Sequence, residues 1–127
     1  MPLEEDNNVL GVRQEDPEMI EAIHQARGTL GQFLENFISP QPNQTSFLLK
    51  VVFEENGERE HIWMADLELH TDPPTGVVAN EPGLQGLRYM ERVPFSPSDV
   101  TDWMYLEDGA LVGGFTTRLL LKKRRPQ

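Results

Sequence analysis

The residue types that could do chemistry crowd into positions 99–118, where Asp99, Asp102, Trp103, Tyr105, the pair Gly113-Gly114 and Arg118 follow one another closely. A carboxylate such as Asp102 works as a general acid or base only beside a second titrating group in a cleft. The spacing identifies no such group. On a strand face shared with Met104 and Phe115, Asp102 instead needs hydrogen-bond donors or a cation. Arg88, Arg92 and the backbone of the turn at Asn80 are the candidates, which makes Asp102 a turn cap or an anchor for an arginine. His24, His61 and His70 are too scattered to share a metal ion. With no cysteine in the chain, disulfides, thiolate ligands and cysteine nucleophiles are excluded. Residues 109–114 lack the spacing, the lysine and the following helix of a phosphate loop. Ser39, Ser46, Ser96 and Ser98 stand in no nucleophile-elbow context. Neither a cofactor nor a catalytic set is expected.

Two turn signals position these residues. Asn56-Gly57 joins strands over residues 47–54 and 59–69 as a two-residue hairpin. Its register sets Val51 opposite Ile62 and Leu49 opposite Met64 on an apolar face that should meet a helix. Lys50 with Trp63, and Val52 with His61, fall on the other face. Asp108-Gly109 folds the last hairpin, with Trp103 opposite Gly114, Tyr105 opposite Val112, Thr101 opposite Thr116 and Asp99 opposite Arg118. A glycine across from Trp103 would let the ring lie flat on the strand. If the hairpins share one curved sheet, Trp63, Trp103, Tyr105 and Arg118 form an aromatic patch with charged borders, of the residue types that dominate interaction hot spots. The alternative is that these rings form a second small core.

Ahead of the strands, Asp16-Pro17 opens a helix with a cap and a proline in the first turn. Met19, Ile23, Ala26, Leu30, Phe33 and Phe37 then form one apolar stripe, ending near Ile38. Residues 71–76 are a turn, 77–79 a short strand, and 87–95 an edge strand that offers pairing to a second copy. The expected fold is α+β: one N-terminal amphipathic helix packed on a curved, mainly antiparallel sheet of five to six strands. The organisation is a flexible acidic arm (1–14), a single domain (15–121) and a basic tail (122–127).

The 127 residues suffice to bury about two thirds of the unfolded surface in one domain. Charge is uneven. All 21 acids lie before Arg118, while Arg118, Lys122, Lys123, Arg124 and Arg125 fall in the last ten residues. An acidic body argues against nucleic acid as a partner. No stretch has the apolar length of a membrane span, and the acidic N-terminus is unlike a signal peptide. The expected setting is cytoplasmic.

Ile62-Trp63-Met64, Asn80-Glu81-Pro82, Asp102-Trp103-Met104-Tyr105, Asp108-Gly109 and Gly113-Gly114 followed by Thr116 and Arg118 resemble the YegJ-like bacterial domain family, of unknown function. The resemblance covers about residues 15–121. It implies a small α+β domain, a helix followed by antiparallel strands, and brings no catalytic residues. The Gly-rich approach to an aromatic strand also loosely resembles small immunity-type proteins found beside bacterial toxins. The functional expectation is a non-enzymatic binding module for a protein or small ligand, acting through Trp63, Asn80, Asp102, Trp103, Tyr105 and Arg118. The alternatives are toxin neutralisation, which the acidic body would assist against a basic toxin, and a small-molecule sensor or enzyme with a pocket at Asp102, Asn80 and Arg118.

Overall fold

The computed structural model describes residues 16–124. The arm expected over residues 1–14, and residues 125–127 of the basic tail, lie outside the described residues. The chain runs α1 (Pro17–Gly28), α2 (Leu30–Ile38), β1 (Gln44–Glu55), β2 (Glu58–Glu68), β3 (Thr75–Val78), β4 (Arg92–Pro94), a 3-10 turn (Pro97–Asp99), β5 (Val100–Glu107), β6 (Ala110–Gly113) and α3 (Phe115–Arg124). The strands form one open antiparallel sheet in the order β4-β3-β2-β1-β5-β6. The fold is α+β, as the sequence leads one to expect. None of the described helices is long and apolar enough to cross a membrane.

Asp16 caps α1 by accepting from the Glu18 amide at 2.9 Å, and Pro17 occupies the first turn, where its missing N–H costs nothing. The single helix expected over residues 16–38 is two, broken at Thr29. The carbonyls there accept from the Thr29 amide and from side chains as well. Thr29 Oγ1 donates to Gln25 O at 2.7 Å, and the Trp103 indole N–H donates to Ala26 O at 3.1 Å. The expected stripe still faces the core, with Ala26 and Phe33 buried and Leu30 and Phe37 packed beside them.

Asn56 and Gly57 both take left-handed backbone angles, as do Asp108 and Gly109, matching the twist of two-residue hairpins. The first turn gives the expected register of Leu49 with Met64, Lys50 with Trp63, Val51 with Ile62 and Val52 with His61. Leu49, Val51, Ile62 and Met64 are buried against Phe33 and Ala26.

The last hairpin keeps Tyr105 opposite Val112 but departs from the ladder at its open end. Thr101 does not pair with Thr116, nor Asp99 with Arg118. Gly113 and Gly114 both sit at positive φ, 80° and 64°, and turn the chain out of the sheet into α3. Gly114 spends its amide on Trp103 O at 2.7 Å as it leaves. The glycine that admits the Trp103 ring is Gly113. Of the edge strand expected over residues 87–95, only Arg92–Pro94 pairs, against β3. α3 lies along α1, and Lys123 Nζ closes on Glu18 at 2.6 Å and Asp16 at 3.6 Å.

A methyl group on Gly113 would fall 2.5 Å from both the ring and the carbonyl of Trp103, at a backbone angle that side chains resist. Gly113→Ala should therefore cost about 2–4 kcal/mol in urea unfolding, strain and overpacking combined. Gly31 in α2 faces open space. Gly31→Ala should stabilise by about 0.5–1 kcal/mol in the same assay.

Candidate functional site

Adjacent residues on β5 point to opposite sides of the sheet, and the two sides have different chemistry. On the helix side, Trp103 is 1% exposed. Its ring centroid lies 5.9 Å from Phe33, 5.8 Å from Tyr105 and 5.7 Å from Phe115. Tyr105 is buried and stacks on Phe47 at 4.8 Å. These aromatics form the centre of the core.

Asp102 is fully buried, and both carboxylate oxygens are occupied. Oδ1 accepts from the amides of Trp103 at 2.8 Å and Phe115 at 3.1 Å. Oδ2 accepts from the Thr116 amide at 2.8 Å and from the Thr116 hydroxyl. The carboxylate thus caps α3 from a neighbouring strand, meeting two of the orphan N–H groups of its first turn. Of the two roles read for it, the turn cap is the one it fills, with donors different from those expected. Arg92 pairs with Asp66 at 2.7 Å instead.

Thr116 Oγ1 also accepts from Lys50 Nζ at 2.7 Å. Lys50, on β1, stands directly opposite Asp102 on β5 and directly opposite Trp63 on β2. The Trp63 ring covers its ammonium with the centroid 5.1 Å away. Burial pushes the Lys50 ammonium below its ordinary range, and the charge of Asp102 partly restores it. Next along β2, His61 Nδ1 lies 3.2 Å from Thr101 Oγ1, while other parts of the residue reach solvent. Desolvation on its Thr101 side, then the charges of Lys50 and Arg59, push the imidazole down to about 4. This side of the sheet also carries the half-buried Leu48, Ala65, Val77 and Met104. Helices α1 and α2 pack on the other side.

The structure divides the expected site between these two faces. Trp63, Lys50 and His61 do share one surface. Trp103 and Tyr105, expected beside them, are interior. The reason lies in the pairing of β1 with β5, which sets Trp103 against Leu49 rather than Lys50. Arg118 is on α3, where Nε donates to Gly113 O at 2.8 Å and Nη2 to Leu111 O at 2.6 Å, stapling the helix to the end of β6. Asn80 accepts from the Trp63 amide at 2.8 Å and so supports that strand. Asp102, Asn80 and Arg118 are each committed to different backbone groups: Asp102 to the first turn of α3, Asn80 to β2, and Arg118 to the carbonyls of Gly113 and Leu111. The bridging role of Thr116 was missed. Its signal was the apolar run of residues 119–121 ending in a basic turn, the signature of a helix C-terminus. A separate concavity of about 590 Å³ lies between α2 and the end of β2, lined by Leu34, Phe37, Ile38, Leu67, Leu69 and His70. It is apolar except at the His70 rim.

A small α+β domain with a capped C-terminal helix and one face of its sheet open is thereby defined. The chain belongs to the family described as an uncharacterised protein conserved in bacteria, DUF2314, whose pattern matches residues 16–127. It is 29% identical over 104 residues to the uncharacterised protein YegJ of Escherichia coli, a match covering 81% of this chain and 67% of that protein. It is 31% identical over 124 residues to a Neisseria meningitidis protein named for ankyrin repeats, covering 91% of this chain but only 49% of the relative. The chain thus spans about two thirds of one relative and half of the other. No solved structure matches it.

Removing the cap should be severe. Asp102→Ala strands three amides and a hydroxyl and should cost about 3–5 kcal/mol, read by thermal or urea unfolding. Lys50→Met should stay within about 1 kcal/mol of wild type, because an apolar chain of similar length avoids the cost of burying a charge. The His61 imidazole should titrate near 4 by NMR, well below the ordinary 6.5. With the folded-state value depressed, the unfolded chain takes up this proton first as pH falls. The contribution of His61 to stability is intact above about 6.5 and is lost on descent toward 4. His61→Gln should flatten that part of the stability–pH curve.

Proposed function

We propose that this domain is a non-enzymatic interaction module and that it engages a partner protein through the open face of its sheet. The observation that carries this reading is Trp63: a half-buried indole lying over a buried cation, on the face of the sheet opposite α1 and α2, which α3 meets through its first turn at Lys50 and Asp102. Leu48, Ala65, Val77 and Met104 extend an apolar surface around it. Such a patch, centred on a tryptophan with charged neighbours, has the composition of a binding hot spot. The groups that could have served catalysis are committed elsewhere. Both oxygens of the Asp102 carboxylate are occupied in holding α3 and the Trp103 amide, and Thr116 is 2% exposed.

Charge favours a partner that presents acidic groups here. The protein as a whole carries −10, yet beside His61 stand the positive charges of Lys50 and Arg59, which add to burial in holding its imidazole low. A local cationic spot on an acidic body selects a complementary contact and fixes its register.

Affinity capture from a lysate of the bacterial host tests this, with wild type, Trp63→Ala and the surface control Ile20→Ala compared side by side. A stoichiometric partner should be retained by wild type and Ile20→Ala and lost with Trp63→Ala. Equal recovery by all three folded proteins would remove the open face as the binding surface.

A further inference from the structure

Lys50 is 8% exposed, and its ammonium has three N–H donors. One donates to Thr116 Oγ1. Among the described residues no other acceptor takes the remaining two, and no carboxylate forms an ion pair with Nζ. Asp102, the nearest candidate on the facing strand, has both oxygens committed to backbone amides and to Thr116. Its charge is felt at Lys50 without direct contact. A buried ammonium with a single hydrogen bond is a costly arrangement that calls for a physical reason.

The indole that covers it has a similar surplus. Trp103 spends its N–H on Ala26 O and Thr29 Oγ1. Trp63 Nε1 has no acceptor among the described residues, and the ring is only half buried. A buried cation and an indole N–H thus leave donors to spare on one spot of the open face. Such a spot is complementary to a group that only accepts. A carboxylate is acceptor-only, planar and singly charged, so one lysine can balance it.

We propose that Lys50 and Trp63 form a receptor for a carboxylate borne on an apolar or aromatic body, the carboxylate on Lys50 Nζ and the body against the Trp63 ring. This rests on the open face being the binding surface and names the chemical group it receives. The carboxylate has two sources, a free small acid or the C-terminus of a partner chain.

The chain has two tryptophans, so its two indole N–H signals in a 15N-labelled sample can be assigned with Trp63→Phe. Sodium benzoate and benzamide are titrated at constant ionic strength, alongside acetyl-Ala-Phe with a free or an amidated C-terminus. The Trp63 signal should move saturably with benzoate and the free-acid peptide, and not with either amide. The Trp103 signal should hold still and report an intact core. Lys50→Met should abolish the response. A clearly tighter peptide than benzoate assigns the carboxylate to a partner chain, and the reverse assigns it to a small acid. The proposal is overturned if neither acid moves the Trp63 signal up to tens of millimolar, a range that covers millimolar affinities. It is equally overturned if acid and amide act alike, or if Lys50→Met responds as wild type does. The acid–amide comparison needs no variant and stands even if Lys50→Met fails to fold. Should carboxylates fail while partner capture still depends on Trp63, the receptor is lost and the docking surface survives.

Discussion

A carboxylate held wholly out of water must have its lone pairs met, and in this domain that requirement is what shapes the C-terminal half. Asp102 can reach its donors only if the chain abandons the sheet at Gly113-Gly114 and brings the amides of Phe115 and Thr116 alongside β5. The two left-handed glycines, the short β6 and the position of α3 all follow. So does the Arg118 staple, which occupies the carbonyls of Gly113 and Leu111 on the strand the chain has left. The same turn lets Trp103 fill the space over Gly113, joining the polar anchor to the aromatic core through neighbouring residues.

That adjacency explains how a thin domain supports two unlike surfaces. Trp103 gathers Phe33, Tyr105 and Phe115 on one side and satisfies the break between α1 and α2 with its indole N–H. Asp102, one residue earlier, faces the side where Lys50 lies under Trp63. The core is bound by apolar burial and ring packing, which are tolerant of polarity outside. The opposite face can then keep polar donors and a partly exposed tryptophan without weakening that core.

Much of this was legible in the residues, and the limit is a matter of range. Asn56-Gly57 and Asp108-Gly109 set the hairpin pairings that formed, because a two-residue turn fixes register through neighbours in sequence. The spacing of Ala26 and Phe33 was likewise enough to find the buried stripe of the helices. What could not be read was the pairing of β1 with β5, which brings Leu49 to Trp103 across more than fifty residues and includes an irregularity between Lys50 and Val51. No local pattern specifies that register. It decides which tryptophan is interior, and so the expected patch of Trp63, Trp103 and Tyr105 came apart. The break at Thr29 depends likewise on donors from distant Trp103. The turn into α3 depends on Asp102, a capping residue that lies outside the helix and its flanks.

The meeting of α1 and α3 has an architectural consequence. Lys123 grips Asp16 and Glu18, so the first and last described helices begin and end at one spot. A unit that enters and exits at the same place can be spliced into a loop or hung from another module without stretching or threading the host chain. The face proposed for binding, on the far side of the sheet from α1 and α2, would remain unobstructed by such a graft.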